Sequence, residues 1–111
     1  ISCLSKDFRL NSQKEFNKLY KSGKSWHTPT FVAFFMPKND LKLAFVASKK
    51  IGNAVFRAKA KRRLRACILD YEDRLKEGSY IFVAKNLIHD KNFQDLKRDF
   101  NFAFKRLEVL K

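Results

Sequence analysis

The nineteen residues from Ser48 to Ala66 carry eight Lys or Arg side chains and no acid, and this run constrains the fold more than any other feature. Taken as a helix at about 100° per residue, with Arg57 as reference, it continues past Ala66 with an apolar arc. Ala60, Leu64, Cys67, Ile68, Tyr71 and Leu75 fall within roughly 100° of one another. That arc must face a sheet. Lys61 and Arg65 lie one step around, in an i, i+4, i+8 line with Arg57 along the rim, and Lys59, Arg62 and Arg63 point away from the core. Gly52-Asn53 breaks the preceding pattern, so the helix is expected from there to about Lys76, with Glu77-Gly78-Ser79 ending it.

The remaining elements supply the sheet. Ser12-Gln-Lys-Glu15 has capping-box form, Phe16, Leu19 and Tyr20 share a helical face, and Gly23 is a plausible stop, which predicts a first helix over about 12–22. Thr30 to Met36 is aromatic and β-branched and reads as a strand. Pro37-Lys-Asn-Asp40 reads as a turn. Leu41, Leu43, Phe45 and Ala47 then alternate with Lys42, Ala44 and Val46, a second strand with one apolar face. A hairpin is the economical joining of the two. A short extra strand between Gly23 and Thr30 is left open. Tyr80 to Ala84 is another strand, and Asn92 caps a last helix in which Phe93, Leu96, Phe100, Phe104 and Leu107 recur at helical spacing. The order α-β-β-(β)-α-β-α is that of an α+β single-domain sandwich, a small mixed sheet packed with helices.

One domain over residues 1–111 is expected, and with 45% hydrophobic residues, twelve of them Phe, the chain can bury a core. Its formal charge of +14 speaks of partners: nucleic acid, an anionic membrane or an acidic protein. The longest apolar run, Phe31 to Met36, is too short to span a bilayer, and no signal-peptide core stands near the start, so a cytoplasmic protein is expected. The chain begins at Ile1 and its one Met is Met36, so a few initial residues are expected to be missing. Cys3 and Cys67 define no disulfide framework, and with His27 and His89 they offer no metal-ligand spacing, so no structural metal is expected. Cys67 reads as a small core residue.

An ordinary solvated helix face mixes charge signs, whereas no acid occurs between Leu41 and Leu69. A membrane-surface helix would want a wide apolar face with no sheet competing for it. No helix-turn-helix pair or zinc finger is present. Aromatic residues beside basic ones favour a single strand whose bases stack, with Phe16, Tyr20 and Phe34 as candidates; membership of the core is equally open for each.

The stretch S-K-K-I-G-N-A-V-F-R-A-K-A-K-R-R-L-R resembles the signature of the bacterial ribonuclease P protein subunit. Phe8-Arg-Leu10, Glu15 to Gly23, Phe31-Val32 and Tyr80 to Lys85 extend the resemblance to about residues 8–108. It implies a fold like the second domain of ribosomal protein S5, with a left-handed crossover between the strands flanking the basic helix. It also implies an accessory subunit: a ribonuclease P RNA with bound magnesium removes the 5′ leader of precursor tRNA, and the protein carries no cofactor, small-molecule substrate or membrane attachment. Position by position, Phe16, Tyr20, Phe34, Arg57, Lys61, Arg65 and Lys85 would face the leader. Lys49, Lys50, Asn53, Lys59, Arg62 and Arg63 would meet the RNA subunit. No catalytic residue is implied. Arg57-Ala58-Lys59 departs from the family's Arg-Asn-Arg, and Lys85 from its Arg; each change removes a bidentate contact and keeps charge where Lys stands. A ribosomal or other structured-RNA-binding protein is the alternative, and a nuclease in its own right a more distant one.

Overall fold

The computed structural model describes residues 4–111, so Cys3 lies outside the described residues. Helix α1 (Gln13–Ser22) starts where the Ser12 hydroxyl accepts from the Glu15 N–H at 3.4 Å. It stops at Gly23, whose φ of −73° is open to any residue. Glycine is needed there for room: a Cβ would lie 2.6 Å from the Leu19 carbonyl oxygen. Four strands follow the expected segments: β1 (Lys24–His27), β2 (Phe31–Pro37), β3 (Leu41–Val46) and β4 (Gly78–Ala84). The extra strand left open by the sequence is therefore present as β1.

The expected pairing of β2 with β3 is absent. The sheet order is β1-β2-β4-β3: β4 lies between them, antiparallel to β2 and parallel to β3. The physical reason is burial. Tyr80, Ile81 and Phe82, three consecutive residues of β4, are fully buried, which requires cover on both faces and neighbours on both edges. A β2–β3 hairpin would push this strand to an edge. Instead β3, carrying Lys42, takes the edge, and Arg9 and Leu10 cover its outer side, with the Leu10 N–H donating to the Leu43 carbonyl at 2.9 Å.

Helix α2 (Ala54–Ile68) joins β3 to β4. Its cap is Asn53, whose side-chain oxygen accepts from the Phe56 N–H at 3.1 Å. Gly52 precedes it at φ 138°, where side chains are strained. The helix ends eight residues earlier than the expected Lys76, passing at Leu69–Tyr71 into a tighter turn. Beyond it the backbone pairs with the C-terminal segment: the Lys76 N–H donates to Val109 and the Lys111 N–H to Arg74, each at 2.7 Å. Leu75 reaches the core from this extended segment. Helix α3 (Phe93–Leu107) is capped by Asn92, which accepts from the Asp95 N–H at 2.8 Å.

The sheet divides the interior. Phe31, Phe35, Leu43, Tyr80 and Phe82 face α2 and α3, packing with Leu64, Ile68, Phe100 and Phe104 in the main core. Ala44 and Ile81 face α1, where Leu10 and Leu19 close a smaller cluster. Of the residues repeating along α3, Leu96, Phe100, Phe104 and Leu107 are buried, whereas Phe93 is exposed under the Lys97 ammonium.

Candidate nucleic-acid interface

Alternation along β2 turns Phe34 to the α1 side, opposite to Phe35. Helix α1 lays Phe16 and Tyr20, one turn apart, against the same surface. The ring centroids are 6.3 Å apart for Phe16 and Tyr20, and 5.0 Å for Tyr20 and Phe34, the latter edge to face. The three aromatic residues thus form one cluster, which resolves their roles into two layers. Phe16 and Phe34 are half-buried on the smaller core, and Tyr20 is 43% exposed. Burial raises the Tyr20 phenol above its ordinary pKa, so it remains a neutral hydrogen-bonding group.

Beside this cluster a cavity of about 210 Å³ opens between the N-terminal segment, α1 and β3. Phe8, Phe16 and Phe45 line it, and Arg9 and Arg65 bring charge to it. Arg65 reaches it from α2, with its guanidinium carbon 5.4 Å from the Phe45 ring centroid, a cation–π distance. A second concavity, of about 460 Å³, runs along α2 and is lined by Ala54, Arg57, Ala58, Lys61 and Arg65. The rim line read from the helical wheel is therefore real, and Arg65 borders both concavities. Ala58 lies in this groove, so the departure from the family's Asn falls on its wall.

These cations are uncompensated. Among the described residues the ion pairs are Lys42–Asp40, Lys97–Asp70 and Arg98–Asp95, and none involves Arg57, Lys61 or Arg65. The Nε of Arg57 is buried without a hydrogen-bond partner, at a place where an external acceptor would satisfy it. Lys85, half-buried, directly follows β4; extending the alternation of Ile81 and Val83 puts it on the α1 side of the sheet.

Six residues were expected on the other surface. Lys49 and Lys50 are exposed on the turn Lys49–Ile51, and Lys59 and Arg62 are exposed on α2. Asn53 is exposed too, but its oxygen is committed to the helix cap, leaving the amide N–H groups free. Arg63 does not point away from the protein. Its fork donates to two backbone carbonyls, those of Ile88 and of Lys91, the latter at 2.7 Å, and ties α2 to the turn before α3. The wheel placed Arg63 outside the apolar arc correctly; it had no means of showing that another loop rises to meet that side. Sequence reasoning also missed Arg9 and Phe45 as cleft residues. Phe45 does lie on the apolar face of its strand, packed against Phe82 of the main core, and the edge position of β3 leaves its ring partly open to the cleft.

The sequence model of the family described as Ribonuclease P matches residues 4–108. The chain belongs to the ribonuclease P protein family.

Relatives carry the same name along nearly their whole length. The ribonuclease P protein component of a Nitratiruptor species is 39% identical over 99 residues, covering 89% of this chain and 91% of the relative. That of Shouchella clausii is 31% identical over 111 residues, covering 96% and 91%. The fold agrees: the RNase P protein from Staphylococcus aureus superposes with a TM-score of 0.80 at 26% identity, covering 97% of this chain and 95% of that one. The chain is accordingly the accessory protein of an RNA-catalysed endoribonuclease that matures tRNA 5′ ends, and its partner is ribonuclease P RNA. The α+β expectation stands, with its sheet order corrected. No helix among the described residues is long and apolar enough to cross a membrane.

Proposed function

We propose that the cleft bounded by α1, β3 and α2 holds the 5′ leader of precursor tRNA while the outward face of α2 and the Lys49–Ile51 turn dock on the RNA subunit. One observation carries this reading: Arg65 borders both the aromatic-lined cavity and the unpaired cationic groove. A single strand lying there would find a stacking surface in Tyr20, Phe16 and Phe34 and phosphate partners in Arg57, Lys61 and Arg65, with Lys85 at the end of the sheet. Stacking accepts any base, as a leader of varied sequence requires. Lys49, Lys50, Lys59 and Arg62 would neutralise phosphates of the RNA subunit, Asn53 would offer its amide donors, and Arg63 would contribute by fixing the loop behind them.

The protein's part is binding and positioning. Magnesium would be held by the RNA subunit and would supply the Lewis-acid chemistry of phosphodiester hydrolysis there. The cytoplasm is the compartment in which these RNA partners would be met. The test is reconstitution with a bacterial ribonuclease P RNA at low magnesium, using precursor tRNA with and without its leader. The intact protein should improve cleavage, and Phe16→Ala should weaken binding of leader-bearing substrate by about 1–3 kcal/mol while leaving leader-free tRNA unaffected. Equal losses for both substrates in a folded variant would remove the leader from the cleft. Cleavage by the protein without RNA would overturn the division of labour altogether.

A further inference from the structure

Strand β1 is the sheet edge farthest from β3. In its register with β2, Trp26 stands opposite Ala33, a residue of the main core under α2 and α3. Trp26 therefore projects on the α3 side, away from Phe16, Tyr20 and Phe34. There it meets Phe102 and Arg106, one turn apart on α3. The Trp26 and Phe102 centroids are 6.0 Å apart, and the Arg106 guanidinium carbon lies 5.4 Å from the first and 5.1 Å from the second. Two tethers fix the arrangement. The Lys24 ammonium donates to the Leu107 carbonyl at 3.2 Å, and the Thr30 hydroxyl donates to the Asp99 carboxylate at 2.7 Å.

This cluster has binding capacity that the fold does not use. Phe102 is 48% exposed. Among the described residues, neither the Arg106 guanidinium nor the Trp26 indole N–H has a hydrogen-bond or ion-pair partner. Asp99, two turns back along α3, accepts from Thr30, and Glu108, at the helix end, forms no ion pair with Arg106. Two aromatic rings beside an unpaired guanidinium suit a nucleotide: the base stacks, and the planar fork takes the phosphate in bidentate fashion.

We propose that Trp26, Phe102 and Arg106 form a second RNA contact, which stacks an unpaired base of the RNA subunit. The inference goes beyond the leader cleft and rests only on the RNA partnership. A second copy of a chain with formal charge +14 would bring more positive charge to an already cationic patch, so self-association is disfavoured. The leader is disfavoured by position: the cluster lies three strand spacings, about 14 Å, across the sheet from β3 and on its other face. A large RNA can reach both sides of a small protein, whereas a leader held in the cleft would have to turn around the sheet edge.

Trp26 is the only Trp in the chain, so its fluorescence reports on this site alone. Titration of the full chain with ribonuclease P RNA should change its emission, and titration with leader-bearing precursor tRNA alone should not. Phe102→Ala should weaken RNA-subunit affinity about 5- to 150-fold, and Arg106→Gln should lower the salt dependence by about 0.7–0.9 log unit. Far-ultraviolet circular dichroism checks that each variant folds. Unchanged Trp26 emission at saturating RNA, or wild-type RNA affinity in both variants, overturns the proposal while leaving the leader reading intact. Emission that responds to precursor tRNA instead, or to protein concentration with dimers in sedimentation, overturns it in favour of that occupant. Loss of leader discrimination in Phe16→Ala, with the Trp26 response preserved, keeps the two sites separate.

Discussion

Replacing Arg63 with Ala separates fold from RNA binding more sharply than any other substitution in the basic helix. Its fork donates to the Ile88 and Lys91 carbonyls. A hydrogen bond involving a charged group contributes about 1.5–3 kcal/mol when buried. The Ile88 bond is half-buried and the Lys91 bond is exposed, so about 2 kcal/mol in total is reasonable once the exposed one is discounted toward zero. Truncation also strands the Ile88 carbonyl behind α2. For a chain of this size each kcal/mol moves the melting temperature by about 4–8 °C, so Arg63→Ala should melt roughly 8–16 °C below the parent. Arg62→Ala, one residue away and exposed, should stay within about 0.5 kcal/mol. The RNA readout should invert: Arg62→Ala should lower the salt dependence of RNA-subunit binding by about 0.7–0.9 log unit, and Arg63→Ala, measured well below its melting point, should not. Arg63→Lys should recover only part of the stability, because a point charge does not span two carbonyls. Parental denaturant midpoints in Arg63→Ala, together with a reduced salt slope, would show the fork bound to phosphate rather than to the protein.

Cys67 is fully buried, and burial, with the nearby Asp70 carboxylate, pushes its thiol up to about 12. Its contribution to stability is therefore complete below the unfolded value near 9 and disappears as pH rises toward 12, with a slope of at most about 1.4 kcal/mol per pH unit. Tyr71 and Tyr80, also raised by burial, add to the same alkaline loss. Cys67→Ala should flatten the dependence between pH 9 and 11 in urea titrations, and with Cys3 replaced by Ser the Cys67 thiol should resist a colorimetric thiol reagent at pH 8 until denaturant is added. Asn53→Ala should cost about 1 kcal/mol through the lost helix cap, with Asn53→Asp restoring most of it by thermal melting. Saturation with ribonuclease P RNA at 100 times the dissociation constant should raise unfolding free energy by about 2.7 kcal/mol, and a melting point indifferent to RNA would contradict neutralisation of the basic helix.

The elements were legible because each is written locally. Ser12, Asn53 and Asn92 announce helix starts through side-chain oxygens, and all three accept from the third backbone N–H that follows. The strands were legible from alternation and β-branched or aromatic content. Their pairing was not, because a short turn at Pro37–Asp40 suits a hairpin and also suits a connection across the end of an intervening strand. The information that decides it lies about forty residues downstream, in the unbroken burial of Tyr80, Ile81 and Phe82. The end of α2 was hidden for a similar reason. Tyr71 and Leu75 keep helical spacing with Ile68, yet the backbone at Lys76 is claimed by Val109, a partner no local pattern names.

The site shows the same division between what a helix fixes and what a neighbour adds. The i, i+4, i+8 row Arg57–Lys61–Arg65 follows from helical geometry alone, and the structure keeps it as one groove. Arg65 becomes more than a member of that row because Phe45 lies on the sheet face that α2 covers, where the guanidinium rests on its ring, and because β3 is an edge strand, which leaves that ring partly open. Placing β4 at the edge instead would have put β3 inside the sheet and enclosed this ring. The sheet order that the sequence did not disclose thus leaves the aromatic cavity open beside the cationic groove. Consistent with this, Arg65→Ala should impair leader binding more than Lys61→Ala, since it removes a phosphate partner and a wall of the aromatic cavity together.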